Sequence, residues 1–255
     1  MDLLKYTVFF LLIFIRISGI FLMTPLFGSN NIPNTVKIGF SLFFTYIVFP
    51  LIDFPNELVI NNFTVLFIYL VLEFLNGLMF GFISLLILNS IYVAGMIVDR
   101  NIGFSIVNVI SPQDESEMPV SANLYYTIAI LIFLLTDSHH ILIKALIQSF
   151  RTIPIGYRFY DLLLISKVTQ LMRTSFIIGF KIAAPIIVTI FITNVLLGIL
   201  SRSIPQMNVF IVGMPLKIFI GLLTIYIALP LYFKIFKNIF DILIDTIRFI
   251  IKSIP

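Results

Sequence analysis

Cysteine and tryptophan are both missing from this 255-residue chain, and charge is scarce. Without cysteine there can be neither a disulfide framework nor a thiolate metal site. Only 11% of the residues are charged, against about 25% in ordinary soluble domains. His139 and His140 are the only histidines. Adjacent imidazoles on a helix point about 100° apart, which excludes the paired i, i+4 geometry of a zinc site. A polar helix start after Asp137-Ser138 accounts for them better. The chain has no Walker loop, no nucleophile elbow and no catalytic triad pattern. Asp114, Glu115 and Glu117 form a carboxylate group on a proline-flanked loop with no histidine nearby, which reads as a solvated turn. Neither enzymatic chemistry nor a cofactor is expected. The net charge of +4 comes without any basic cluster, so nucleic acid is not an expected partner.

What replaces charge is apolar length. The hydrophobic fraction is 60%, against roughly 45–50% in ordinary domains. Apolar runs cover about 8–23, 38–52, 63–98, 124–135, 175–200 and 209–233, and an amphipathic tail follows over 234–255. A bilayer-spanning helix needs about 20 apolar residues. The expectation is an all-α integral membrane protein, a single domain over 1–255, with lipid as part of its surroundings. Residues 1–23 contain Lys5 and an apolar stretch, but Arg16 interrupts it and no small-x-small cleavage site follows. This segment reads as a retained first helix.

The runs are uneven. As one helix, 63–98 would reach about 54 Å against a hydrocarbon core near 30 Å, so it must project from the membrane or fold back near Asn76-Gly77. Gly77 and Gly81 form a GxxxG pair suited to close helix approach. The run 124–135 would reach only about 18 Å. Such mismatch suits helices buried among partner subunits. Lys144, Gln148 and Arg151 form a polar stripe opposite Ile141, Leu142 and Ala145, and the tail shows the same amphipathicity. The tail is expected in the interface or on a partner. With six nominal crossings, lysine and arginine concentrate in 137–173 and in the tail, while Lys37, Arg100 and Arg202 lie opposite. The positive-inside rule then puts both termini in the cytoplasm.

Arg16, Glu73, Lys181 and Lys217 sit within apolar runs. Each costs about 2.5–3.5 kcal/mol at the bilayer centre on insertion scales, so lipid-facing positions are disfavoured. Arg16 and Glu73 can pair with each other or with partners; a proton relay is the rarer alternative. Lys181 is near enough to a run's start to snorkel.

Residues 194–217 form a hairpin whose turn is set by Ser203-Ile204-Pro205; proline disfavours helix in the residue before it, so the first helix should end near Ile204. The hairpin contains Leu197-Gly198, Arg202, Pro205-Gln206, Asn208, Phe210, Gly213, Pro215, Leu216 and Lys217. In this wording it resembles the FliR family of flagellar type III export-gate subunits. His139–Gly156, with Ile153-Pro154-x-Gly156, is similar to the same family. So is the loop 99–123, with Asp99, Gly103-Phe104, Ile106, Val107, Pro112, Met118 and Pro119-Val120. The resemblance implies one subunit of a helical, conical gate in the bacterial inner membrane at the flagellar basal body. FliP-like and FliQ-like subunits would complete that gate, with FlhB-like and FlhA-like proteins around it and unfolded export substrates passing through. It also implies that the apolar half of the loop projects into the lumen as a plug. The injectisome homologue of this subunit shares fold and mechanism, though Pro-Gln-Met-Asn-Val-Phe favours the flagellar form. A small-molecule transporter would call for an inverted repeat, and none is seen.

Overall fold

In a computed structural model, residues 2–24, 32–52, 62–104, 119–156, 162–204 and 208–252 are described, and their regular structure is helical. Among the described residues seven α-helices follow in order: α1 (Asp2–Met23), α2 (Asn34–Val48), α3 (Phe63–Ile102), α4 (Val120–Leu135), α5 (Ser138–Thr152), α6 (Leu162–Ser203) and α7 (Val209–Lys252). A short 3₁₀ turn, Phe49–Leu51, extends α2. Five of these helical stretches are long and apolar enough to cross a membrane: Lys5–Met23, Asn34–Leu51, Phe63–Ile102, Ile165–Ser203 and Ile211–Ile250. The sixth nominal crossing is α4, which at 16 residues reaches about 24 Å.

Helix α3 does not fold back at Asn76-Gly77. It continues through 40 residues, about 60 Å. Gly77 serves packing instead of a turn, because α1 lies directly on it: a Cβ at Gly77 would meet the Arg16 carbonyl oxygen. A Cβ at Gly19 would come 2.8 Å from the Phe74 carbonyl oxygen, and one at Gly81 would come 2.9 Å from that of Ile20. The GxxxG pair thus accepts another helix of its own chain.

The two C-terminal spans are longer than their apolar runs. The amphipathic stretch ending at Arg173 joins the following span in one helix of 42 residues, and the tail joins the last span in one of 44. Pro185, Pro215 and Pro230 lie inside these helices and do not end them. Hydroxyl groups supply local hydrogen bonds beside Pro185, where Thr189 Oγ1 donates to the Pro185 carbonyl at 3.0 Å. The end expected near Ile204 is found, since α6 stops at Ser203 and Ile204 N donates to the Leu200 carbonyl at 2.9 Å.

The chain divides into two compact units, Met1–Ile87 with Asp137–Met172 and Phe240–Pro255, and Leu88–Thr136 with Arg173–Ile239. In the first, α1 packs on α2 through Phe21–Phe44 and Phe9–Phe49 ring contacts at 5.4 and 5.6 Å. The tail's apolar face is buried within this unit at Phe240, Leu243, Ile244, Ile247 and Ile250, while Asp241, Asp245 and Arg248 are exposed. This corrects the expectation of an interfacial or partner-bound tail: the unit's own helices already remove that face from water. In the second unit, α3 meets α4 where Gly95 abuts Ala122, and meets α6 where Gly179 faces the Ser90 carbonyl.

The helix start after Asp137 is present, but not as a side-chain cap. Asp137 adopts a left-handed conformation (φ 53°) and its carbonyl accepts from His140 N at 3.0 Å. Its carboxylate lies 3.4 Å from His140 Nδ1.

Gly77→Val should strongly destabilise the detergent-solubilised chain, by about 1–3 kcal/mol or more, because a backbone carbonyl cannot yield to the new side chain. Gly39→Ala, with open space around it inside α2, should leave the melting temperature unchanged or raise it, since alanine favours helix.

Candidate functional site

The faces of α1 and α3 that meet through glycine also carry opposite charges. Arg16 lies one turn from Gly19, and Glu73 lies one turn from Gly77. Close backbone approach therefore brings guanidinium and carboxylate together, and both side chains are 0% exposed. Arg16 Nε donates to Glu73 Oε2, and Nη2 donates to Oε1 at 3.0 Å. This is the forked arrangement that makes arginine–carboxylate pairs strong.

The remaining guanidinium donors reach the end of α5. Nη1 and Nη2 each donate to the Ile153 carbonyl at 3.2 Å, and Nη1 approaches that of Ser149 at 3.5 Å. A cation here also opposes the negative end of the helix dipole. The Phe150 ring lies under the guanidinium, 4.4 Å from its centroid. Glu73 Oε1 accepts in addition from Gly156 N at 2.7 Å. Gly156 has φ +85°, and a Cβ there would come 2.7 Å from Tyr69, so this turn calls for glycine. One buried pair thus ties together α1, α3 and the Ile153–Gly156 turn. The pairing lies within the chain, and its closed donor–acceptor set suits a structural tie better than a relay. Sequence reading found Arg16 and Glu73 but missed the turn's part in holding them. The Ile-Pro-x-Gly signature was the available signal.

A second buried polar group lies in the other unit. Asp99, 3% exposed near the end of α3, accepts from Ser121 N at 3.1 and 3.2 Å through its two oxygens. Below it, the Tyr125 and Tyr232 hydroxyls are 3.3 Å apart, and their rings pack edge to face beside Phe236. Nothing in the sequence pattern singled out the tyrosines.

The other predicted site residues spread out. Gly103 (φ 105°) and Phe104 are half-buried after α3, with Gly103 N donating to the Asp99 carbonyl at 2.9 Å. Pro119 stands at the N-cap of α4. Ile106, Val107, Pro112 and Met118 lie outside the described residues, as do Pro205 and Gln206. Arg202 is exposed at the end of α6. Asn208, also exposed, has its Oδ1 3.4 Å from Ile211 N at the start of α7. Phe210 belongs to the first turn of α7, Gly213 is buried, Pro215 is exposed and Lys217 half-buried. Lys181 is exposed on α6.

The family model described as bacterial export proteins, family 1, matches residues 7–243. The flagellar biosynthetic protein FliR of Bacillus subtilis is 36% identical over 242 residues, spanning 94% of this chain and 93% of that one. The FliR proteins of Aquifex aeolicus and Escherichia coli are 29% and 26% identical, over 98% and 94% of this chain and 96% and 92% of theirs. The chain belongs to the FliR family. It is a multi-pass inner-membrane subunit of the flagellar type III export gate, which works with other gate subunits and is not an enzyme. The flagellar names of these relatives favour that assignment over the injectisome form, and family membership displaces the transporter reading.

Within this FliR-family fold, Gly156→Ala should lower the melting temperature of the subunit, because the positive φ alone costs about 1–3 kcal/mol for a side-chain-bearing residue. Arg16 and Glu73 should stay paired less firmly, which faster proteolysis after Arg151 or Lys167 would report.

Proposed function

We propose that this subunit forms a wall segment of the gate together with FliP-like and FliQ-like subunits, and that residues 103–119 supply a plug for its lumen. FlhB-like and FlhA-like proteins complete the export apparatus, and unfolded flagellar subunits are the cargo. The observation that carries the wall is a mismatch of length and exposure. Helices α6 and α7 are about 63 and 66 Å long. Phe176, Phe180, Phe191 and Ile199 on α6, and Ile211, Phe219 and Tyr226 on α7, are exposed along them. A hydrocarbon core of about 30 Å suffices for the exposed stretch of α7 but covers only a little over half of that of α6, whose exposed apolar side chains run from Ile165 to Leu200, so neighbouring protein must cover the remainder.

The plug rests on composition. Phe104, Ile106, Val107, Val109 and Ile110 make the loop's first half apolar, and Pro112 and Pro119 limit its conformations. Burying each such side chain is worth about 1.5–3 kcal/mol, enough for a few together to hold a pore shut yet yield to an entering chain. The hairpin residues Arg202, Pro205, Gln206, Asn208, Phe210, Gly213, Pro215 and Lys217 serve assembly, with Gln206 offering an amide to a neighbour. The lysine and arginine content of 137–173 and of the tail supports a cytoplasmic C-terminus.

Deleting residues 105–109 should leave the gate assembled but leaky, with slower growth and raised ion permeability in cells that contain it. An assembled deletion complex with an unchanged barrier removes the plug. Because the chain lacks cysteine, a single cysteine added at the C-terminus should be labelled only from the cytoplasmic side.

A further inference from the structure

We propose that the polar stripe of α5 is a docking seam for a carboxylate-bearing helix of another gate subunit. The stripe is Lys144, Gln148 and Arg151, all exposed, on the side of α5 away from the buried Ala145, Leu146, Ser149 and Phe150. The bonds of Arg16 fix the level at which it lies. Phe14 stands midway along the span Lys5–Met23, and Arg16 is about 3 Å beyond it. The Arg16 guanidinium reaches the Ser149 and Ile153 carbonyls, and Arg151 lies between those two residues on the opposite side of α5. The start of α5 runs toward the end of α1, since Ala145 and Leu146 line one small cavity with Ile20. Lys144 is about 10 Å from Arg151 along the helix, so both stay within the hydrocarbon half-thickness of about 15 Å.

Lipid is a poor cover for such a face. A lysine well away from the middle can extend to the headgroups, but an arginine close to the middle cannot. The chain supplies no counter-charge either. Among the described residues no carboxylate pairs with Lys144 or Arg151, and Glu73 is already held by Arg16 and Gly156 N. Water is the other cover, and the width of the stripe speaks against it. Ile143 and Ile147 on one side and Thr152 on the other are half-buried, which leaves a stripe one side chain wide. An aqueous passage has no need of apolar flanks, whereas a single helix laid along α5 covers a seam of this width. Lys144 and Arg151 are two turns apart, so carboxylates with the same spacing on the docked helix match both, with the Gln148 amide between them. Like the wall reading above, on which it rests, this seam requires assembly with other gate subunits.

The test uses the gate purified with its partner subunits. A hydrophobic carbodiimide condenses an amine with a carboxylate only where the two touch. It should cross-link this chain through Lys144 to another subunit, and Lys144→Arg should abolish the link without dispersing the gate. Gln148→Cys, in a chain without natural cysteine, should react with a charged maleimide in the detergent-solubilised subunit and lose that reactivity in the gate. Arg151→Gln strands the partner's carboxylate and should lower the yield of assembled gate about tenfold or more, with the melting of the lone subunit unchanged. Arg151→Lys should restore most of the yield. Should Arg151→Gln fail to fold, the first two readouts decide. A Gln148→Cys thiol that stays reactive in the gate overturns the seam in favour of an aqueous passage. Protection without a cross-link through Lys144 overturns the carboxylate partner. A photo-reactive group in place of the exposed Phe191 on α6 tests the wall separately. Partner cross-links from α6 with none from α5 overturn the seam and leave the wall standing, and the converse supports the seam and removes the wall.

Discussion

A charge pair buried where two helices touch is costly to make and costlier to break. Stripping Arg16 and Glu73 of water takes several kcal/mol per ion, and their attraction repays it only if every remaining donor and acceptor is used. Here the guanidinium reaches two oxygens of Glu73 and two carbonyls at the end of α5, and the carboxylate also receives Gly156 N. Much else in the first unit follows. Glycines 19, 77 and 81 must be small so that α1 and α3 approach closely enough, Phe150 must lie flat beneath the guanidinium, and the 153–156 turn must present its carbonyl and its N–H inward. The pair thus converts three separate segments into one unit, with a specificity that apolar packing alone supplies less readily.

The second unit solves a related problem with less charge. Asp99 has no cation partner among the described residues and is stabilised by the Ser121 N–H at the start of α4, while the Tyr125 and Tyr232 hydroxyls bond each other between α4 and α7. The Thr189 and Thr224 hydroxyls also meet between α6 and α7 at 3.3 Å, while each donates to a carbonyl of its own helix. In apolar surroundings polar side chains are affordable only in pairs of this kind, and the pairs fix register between helices whose outer faces are otherwise interchangeable Ile, Leu and Phe. An export gate needs such registration, because its helices are too long for lipid alone to position.

Membrane class, the end of α6 and the Arg16–Glu73 candidates were legible because each leaves a strong local mark: apolar length, a proline, or a charge in the wrong solvent; apolar length alone left open whether α3 runs on or folds back. The hairpin wording and the 99–123 loop made the family recognisable. Helix limits were less so. Nothing local says that the stretch before Arg173 joins the next span, or that helices continue through prolines 185, 215 and 230, since packing between helices decides both. The tail's destination was misjudged because amphipathicity shows which face is buried and not what buries it. The part Gly156 plays in holding Glu73, and Ser121 and the tyrosine pair altogether, escaped notice because these roles depend on partners far away in sequence, as with Tyr125 and Tyr232, 107 residues apart.

A double-mutant cycle on the first unit tests the central constraint most directly. Arg16→Met and Glu73→Leu, each alone, strand a buried charge and should each cost about 3–5 kcal/mol of stability in the assembled gate. Together they remove both charges and should cost clearly less than the two losses combined, with the residual loss reflecting the Ile153 carbonyl and the Gly156 N–H left without partners. Losses that simply add would mean that the two residues act independently and that the pair does not hold this unit together.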